Sequence, residues 1–334
     1  MRIKMHIQVC ILALLVAVSV SLAQKPPERP KVHSEFTFGS YPVSRDASNL
    51  MSKERSRYMA VAFHEGWDFE KIGKELKISD DEVDRAFSEL DVEQLAKLDQ
   101  DNEPRPNLLV IREKDVEKIK ATLQKHSREV TAIIAGNWSQ IEAMAASLTG
   151  ASGVSKEEVM YEIVVSGILL GGMNEVFFED KTLIPPGPRR GRGQRYYAWL
   201  AEGDPRNAGR IQREQSQSDT NTIVTVGPKL SVARPTMNEL RASRSMILDE
   251  TESRRVRSFV NIFCKDKLLP YFKSQRNEMM KVGAQMSSAR YSAFGEFLAW
   301  YYNQIANSVV DEIVAANRMR PPSDQYAYAV KTLQ

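Results

Sequence analysis

Asp68 to Leu90 reads DFEKIGKELKISDDEVDRAFSEL, and two short amphipathic helices can be read in it. Phe69, Ile72 and Leu76 recur at helical spacing, as do Val83, Phe87 and Leu90, with Lys77-Ile78-Ser79 as a tight turn between the two sets. Ser79 stands where its hydroxyl can accept an orphan amide of the second helix, and Glu82 stands at the reciprocal position of a capping box. Helix, turn and helix follow. Upstream, Lys53 to His64 forms a further helix, with Tyr58, Val61 and Ala62 on one face and Gly66 ending it. Downstream come a short segment to Leu98, the polar turn DQDNEPRP and an apolar strand from Asn107 to Ile111.

The pattern Ile72-Gly73-x-x-Leu76-x-Ile78-Ser79-x-x-x-Val83-x-Arg85-x-Phe87-x-x-Leu90 resembles the helix-turn-helix core of winged-helix domains. The resemblance covers residues 51–112 and implies a three-helix unit followed by a β-hairpin wing. A weaker echo runs through residues 113–201. There Ser155 precedes a helix with Glu158 three residues on, and FFEDKTLI (177–184) and RYYAWL (195–200) read as two strands joined by PPGPRRGRGQ. This stretch is either a second winged-helix-like module or an unrelated helical subdomain followed by a hairpin. Residues 202–234 read as a polar linker with one strand at Thr222 to Val226, and residues 235–334 as a helical domain. The expected fold is mainly α with short β-hairpins, tandem winged-helix-like modules preceding a C-terminal helical domain.

Both ends of the chain carry further signals. Arg2 and Lys4 precede an uncharged apolar run from Val9 to Ala23, and Ser21-Leu22-Ala23 supplies the small residues of a cleavage site. Residues 1–23 therefore read as a secretory signal peptide, since fifteen apolar residues fall short of the roughly 20 that cross a bilayer. Cleaved or kept as an anchor, the segment places the rest of the chain outside the cytoplasm, in the periplasm or extracellular space. Gln24 to Leu50, rich in proline, serine and charge, reads as a flexible leader. Near the other end, Tyr291, Phe294, Leu298, Tyr301 and Ile305 form an apolar seam that suits either a core helix or packing against a second copy of the chain.

Charge and chemistry bound the function. Loss of Arg2 and Lys4 with the signal takes 46 basic residues to 44 against 43 acidic ones, a balance that selects no partner. Of two cysteines only Cys264 lies beyond the signal, so no internal disulfide forms there, and its apolar neighbours make it a structural thiol. A serine–histidine–acid triad or a histidine metal site would have to rest on His64 or His126, because His6 falls in the signal and His33 in the leader. No metal or cofactor motif is present. Acids such as Asp80, Asp81, Asp311 and Glu312 read as solvated helix faces rather than as a matched pair.

One constellation stands apart. Arg189, Arg190, Arg192 and Arg195 crowd a loop containing Gly187, Gly191 and Gly193, with Tyr196 and Tyr197 beside them and Arg206, Arg210 and Arg213 further on. Guanidinium forks suit phosphate or carboxylate oxygens, and the tyrosine faces suit rings. Winged-helix families mostly bind DNA through a basic recognition helix, but here that helix carries Asp80, Asp81, Glu82, Asp84 and Glu89 against Arg85, which repels phosphate. The expectation is an exported, non-catalytic interaction or scaffold protein of the cell envelope, binding a protein or an anionic envelope component without specific DNA recognition. The alternatives are an envelope enzyme using carboxylate chemistry on a polymer, and nucleic-acid binding through the arginine-rich wing.

Overall fold

The computed structural model describes residues 36–151, 153–180, 183–203, 212–217, 221–227, 236–242, 246–289, 294–320 and 326–331. The signal segment, residues 24–35 of the leader and Tyr291 lie outside them.

Two apolar runs organise the molecule. β1 (Phe36–Tyr41), β4 (Leu109–Ile111) and β5 (Tyr197–Glu202) form a sheet in the order β1-β5-β4, with β1 antiparallel and β4 parallel to the central β5. A strand buried on both faces reads as a continuous apolar run instead of an alternation. That is the character of Leu108 to Ile111 and of Tyr196 to Ala201. Alternate side chains then face opposite ways: Tyr196, Ala198, Leu200, Leu108 and Val110 enter one core, whereas Tyr197, Trp199, Ala201, Leu109 and Ile111 enter another. The sheet is the wall between the two cores.

The smaller core belongs to the first unit. Four helices, α1 (Arg45–Ser52), α2 (Glu54–His64), α3 (Phe69–Leu76) and α4 (Asp80–Val92), precede a hairpin of β2 (Ala96–Leu98) and β3 (Pro104–Pro106). Asp68 caps α3 by accepting from the Lys71 amide at 2.8 Å. Lys77 takes the left-handed conformation (φ 54°) that ends α3. At the start of α4 the Ser79 N–H donates to the Glu82 carboxylate at 3.1 Å, the returning half of the capping box. Phe63, Phe69 and Phe87 meet edge to face, with centroids 5.1 to 5.9 Å apart, and lock α2 to the helix pair.

The larger core holds α5 (Glu113–Gly136), α6 (Trp138–Ala146) and a continuous helix made of α7 (Lys156–Tyr161), a π-helical segment (Glu162–Gly172) and α8 (Met173–Glu179). After β6 (Gln212–Gln217) come β7 (Asn221–Gly227), α9 (Met237–Ala242), β8 (Ile247–Leu248), α10 (Glu250–Phe263), a second π turn (Cys264–Leu268), α11 (Leu269–Gly283), α12 (Phe294–Ala315) and β9 (Tyr326–Lys331). Of these, β7, β8, α10, the second π turn, α11 and α12 send side chains into the larger core, whereas Leu240 of α9 packs with Ile223 and Met237 in a small cluster of its own. The last sheet has the order β6-β7-β9-β8. Lys156–Phe177 is long and apolar enough to cross a membrane, yet 82% of its apolar window is buried inside the protein.

The mainly helical character matches expectation, and the strand read at Thr222 to Val226 forms as β7. Four boundaries are corrected. Residues 36–50 of the leader are β1 and most of α1, ordered because Phe36 and Leu50 enter the smaller core. The β2–β3 hairpin uses Pro104–Pro106 where the strand Asn107–Ile111 was expected, and Leu109–Ile111 joins β5 instead. Among the described residues no hairpin unites Phe177–Ile184 with Arg195–Leu200: residues 173–179 are helical, and β5 finds its partners in β1 and β4. Residues 113–201 and 235–334 are not separate domains, because they share the larger core, and the chain after Pro235 ends in a strand and not a helix.

Candidate functional site

The arginine loop is built around a buried anchor. Gly191–Gly193 makes a single tight turn, with Arg192 at φ 56° and Gly193 at φ 73°, and Arg189 and Arg195 pair across its base. Arg190, in the turn's first corner, points inward with its side chain wholly buried. Its Nε donates to the Tyr196 carbonyl at 3.0 Å, and one terminal nitrogen donates to the carbonyls of Gln94 and, at 2.7 Å, Asn107. The other pairs with the Glu296 carboxylate on α12. A single side chain thus ties the loop to the end of α4, to the approach to β4, to β5 and to α12. Burial pushes the Glu296 carboxyl from 4.5 up to about 7, against the opposing pull of Arg190 and the Ala198 amide.

Of the six residues expected to bind a partner here, three are therefore internal. Arg190 is the anchor, and the rings of Tyr196 and Tyr197 are buried, one on each side of the sheet. Burial drives the Tyr196 phenol up to about 12 and raises that of Tyr197 as well. Neither ring is open to stacking. Arg189, Arg192 and Arg195 remain exposed. Arg192 lies 3.1 Å from Asp46, a pairing at a site 74% exposed, and Arg195 donates to the Gly187 carbonyl at 2.8 Å. Arg206 and Arg210 fall outside the described residues.

The apolar seam is likewise internal. Leu298, Tyr301 and Ile305 are fully buried in the chain's own core and Phe294 is half-buried, so these residues are not free to pack against a second copy. The core-helix reading of α12 is the one that holds.

His64 and His126 lie in polar clusters that periodicity does not reveal. His64, at the end of α2, has Nε2 3.3 Å from the Ser287 hydroxyl, and that hydroxyl donates to Asp115 Oδ2 at 2.5 Å. Serine, histidine and acid do meet here, but the serine sits in the middle. Its single proton goes to Asp115, so His64 Nε2 faces it as a donor and not as the base a triad needs. His126 is buried between α5, α11 and α12, with Nδ1 2.5 Å from the Tyr271 hydroxyl and Nε2 3.7 Å from Glu278. Burial lowers the His126 pKa and raises that of Tyr271. Such an arrangement keeps the imidazole neutral and ties three helices together.

Among the described residues, no group of three or more His, Cys, Asp or Glu side chains could hold a metal ion. Asp80, Asp81 and Asp311 are exposed and Glu312 half-buried on their helices. Comparison with protein families, with curated proteins and with solved structures finds no match to this chain.

Proposed function

We propose that the chain is an exported, non-catalytic interaction protein of the cell envelope that presents Arg189, Arg192 and Arg195 to an anionic partner, either a protein or an envelope component. The supporting observation is the Arg190 anchor. A solvated loop kept only for solubility has no use for a buried guanidinium hydrogen-bonded to three carbonyls and a carboxylate. A loop that must hold three cations in a fixed array does, because an ordered array loses less entropy on binding.

The order of α2, α3, α4 and the β2–β3 hairpin supports a winged-helix-like reading of the first unit, with no counterpart hairpin among the described residues of 113–201. DNA is disfavoured as its partner, since α4 exposes Asp80, Asp81 and Asp84 beside Arg85. Export rests on the apolar run from Val9 to Ala23.

The test is a pull-down from envelope extracts with the wild-type protein and with the triple variant Arg189→Ser/Arg192→Ser/Arg195→Ser, with Arg190 left in place. A defined partner retained by the wild type and lost by an equally stable variant supports the reading. Undiminished capture by the variant removes the loop from it.

A further inference from the structure

A second candidate site shares no lining residue with the arginine loop. A cleft of about 100 Å³ opens between α10, the long π-helical segment and strands β7 and β8. A single buried water needs roughly 10–15 Å³ on the same measure, so the cleft has room for a small organic molecule. The π segment contributes backbone in place of side chains, through Gly167, Gly171 and Gly172. Segments of this kind, with their displaced hydrogen-bond ladder, recur at functional sites. Val256 and Val260 from α10, Val224 from β7 and Leu248 from β8 give the cleft an apolar side.

Its polar groups are what call for a ligand. Arg257 on α10 and Glu175 on α8 line the cleft with opposite charges, and neither has an ion-pair partner among the described residues. Asn261, one turn beyond Arg257, also lines the cleft.

We propose that this cleft binds a small aliphatic α-amino acid as its zwitterion. The carboxylate goes to Arg257, the ammonium to Glu175, and the side chain lies against Val224, Leu248, Val256 and Val260. Guanidinium with carboxylate, and ammonium with carboxylate, form the strong, charge-assisted class of hydrogen bond, and a zwitterion is the small ligand that offers both.

The test is titration calorimetry of the purified protein with L-valine and L-alanine, beside isovalerate and isobutylamine, which each keep one charge of valine. L-valine is expected to bind, with each single-charge analogue at least about tenfold weaker. Arg257→Gln and Glu175→Gln should each weaken L-valine by about tenfold or more. Both side chains are exposed, so thermal unfolding should be unchanged and a lost signal would report the site and not the fold. No heat from either amino acid up to about 10 mM overturns the proposal. So does equal binding of isovalerate and valine, or unchanged affinity in either variant. Because the variants leave Arg189, Arg192 and Arg195 in place, failure here leaves the loop's role standing.

Discussion

Arg190→Met separates an anchor from a binding residue. In the wild-type protein the guanidinium is sealed from solvent and Glu296 is only 4% exposed, so the ion pair lies wholly within the core. Methionine keeps the apolar stem but leaves the Gln94, Asn107 and Tyr196 carbonyls without their donor, and leaves Glu296 with the Ala198 amide. Breaking one side of a buried pair costs about 3–5 kcal/mol, most of it the penalty of the stranded partner. Urea unfolding at pH 7.5, followed by far-UV circular dichroism, should show a loss of that size. Arg189→Met, on the exposed side of the same turn, should stay within about 0.5 kcal/mol of wild type. Adding Glu296→Leu to Arg190→Met should recover part of the loss, because two apolar groups in place of a buried pair remove the stranded carboxyl. If Arg190→Met proves as mild as Arg189→Met, the guanidinium does not anchor the loop and the case for a pre-ordered arginine array fails.

Three further outcomes follow from buried groups. The Glu296 carboxyl has its folded pKa raised from 4.5 to about 7, so the native state holds the extra proton between those values. Its contribution is complete below pH 4.5 and is lost as pH rises through 7, about 3 kcal/mol in all, so stability relative to Glu296→Gln should fall by that amount between pH 4.5 and 7.5. A difference that does not vary with pH would refute this. Gly172→Ala should cost about 1–3 kcal/mol by thermal unfolding, because a Cβ there would overlap Val260 and approach Cys264 Sγ to 2.9 Å. Val260→Ala should relieve part of that cost, and an unaltered melting temperature in Gly172→Ala would contradict the packing. Cys264 is fully buried and its thiol pKa is raised by desolvation, so a thiol-reactive dye should label it only after unfolding. Rapid labelling of the native protein would show that the π turn opens.

What could be read from the residues tracks the range of the interactions concerned. The α3–α4 pair is legible because its determinants are local: Phe69, Ile72 and Leu76 share a face, and Ser79 with Glu82 marks the next start within four residues. The strand character of Tyr196 to Leu200 is legible too, but its pairing is not. Tyr197 lies opposite Tyr41, and Trp199 opposite both Gly39 and Leu109, and nothing in the run itself records partners so far away. Phe177 and its neighbours read as a strand because a short apolar stretch has no decisive period, and the helix that claims them begins at Lys156. At the loop, residue type draws attention to the four arginines, but type cannot say which points inward. Arg190 is set apart by the partners it reaches, the Gln94 and Asn107 carbonyls and the carboxylate of Glu296, which is 106 residues away. The cleft left one faint mark, the Gly167, Gly171 and Gly172 steps in an otherwise apolar helix.

The two proposed sites draw on the two cores differently. β5 begins two residues after Arg195, and its side chains divide alternately between the two cores, so the height and tilt of the arginine loop are set by both. The cleft draws on the larger core alone, through Val224, Leu248 and Val260, and shares no residue with the Arg190 anchor. Close-packed cores deform little, so a ligand in the cleft reaches the loop only if α12, which bears Glu296, shifts against its neighbours. Arg190–Glu296 is the contact that would register such a shift. An Arg257→Gln variant that leaves partner capture by the loop unchanged would mean two independent functions. A change in capture would instead mean that α12 couples them, and Glu296→Gln should then abolish the coupling.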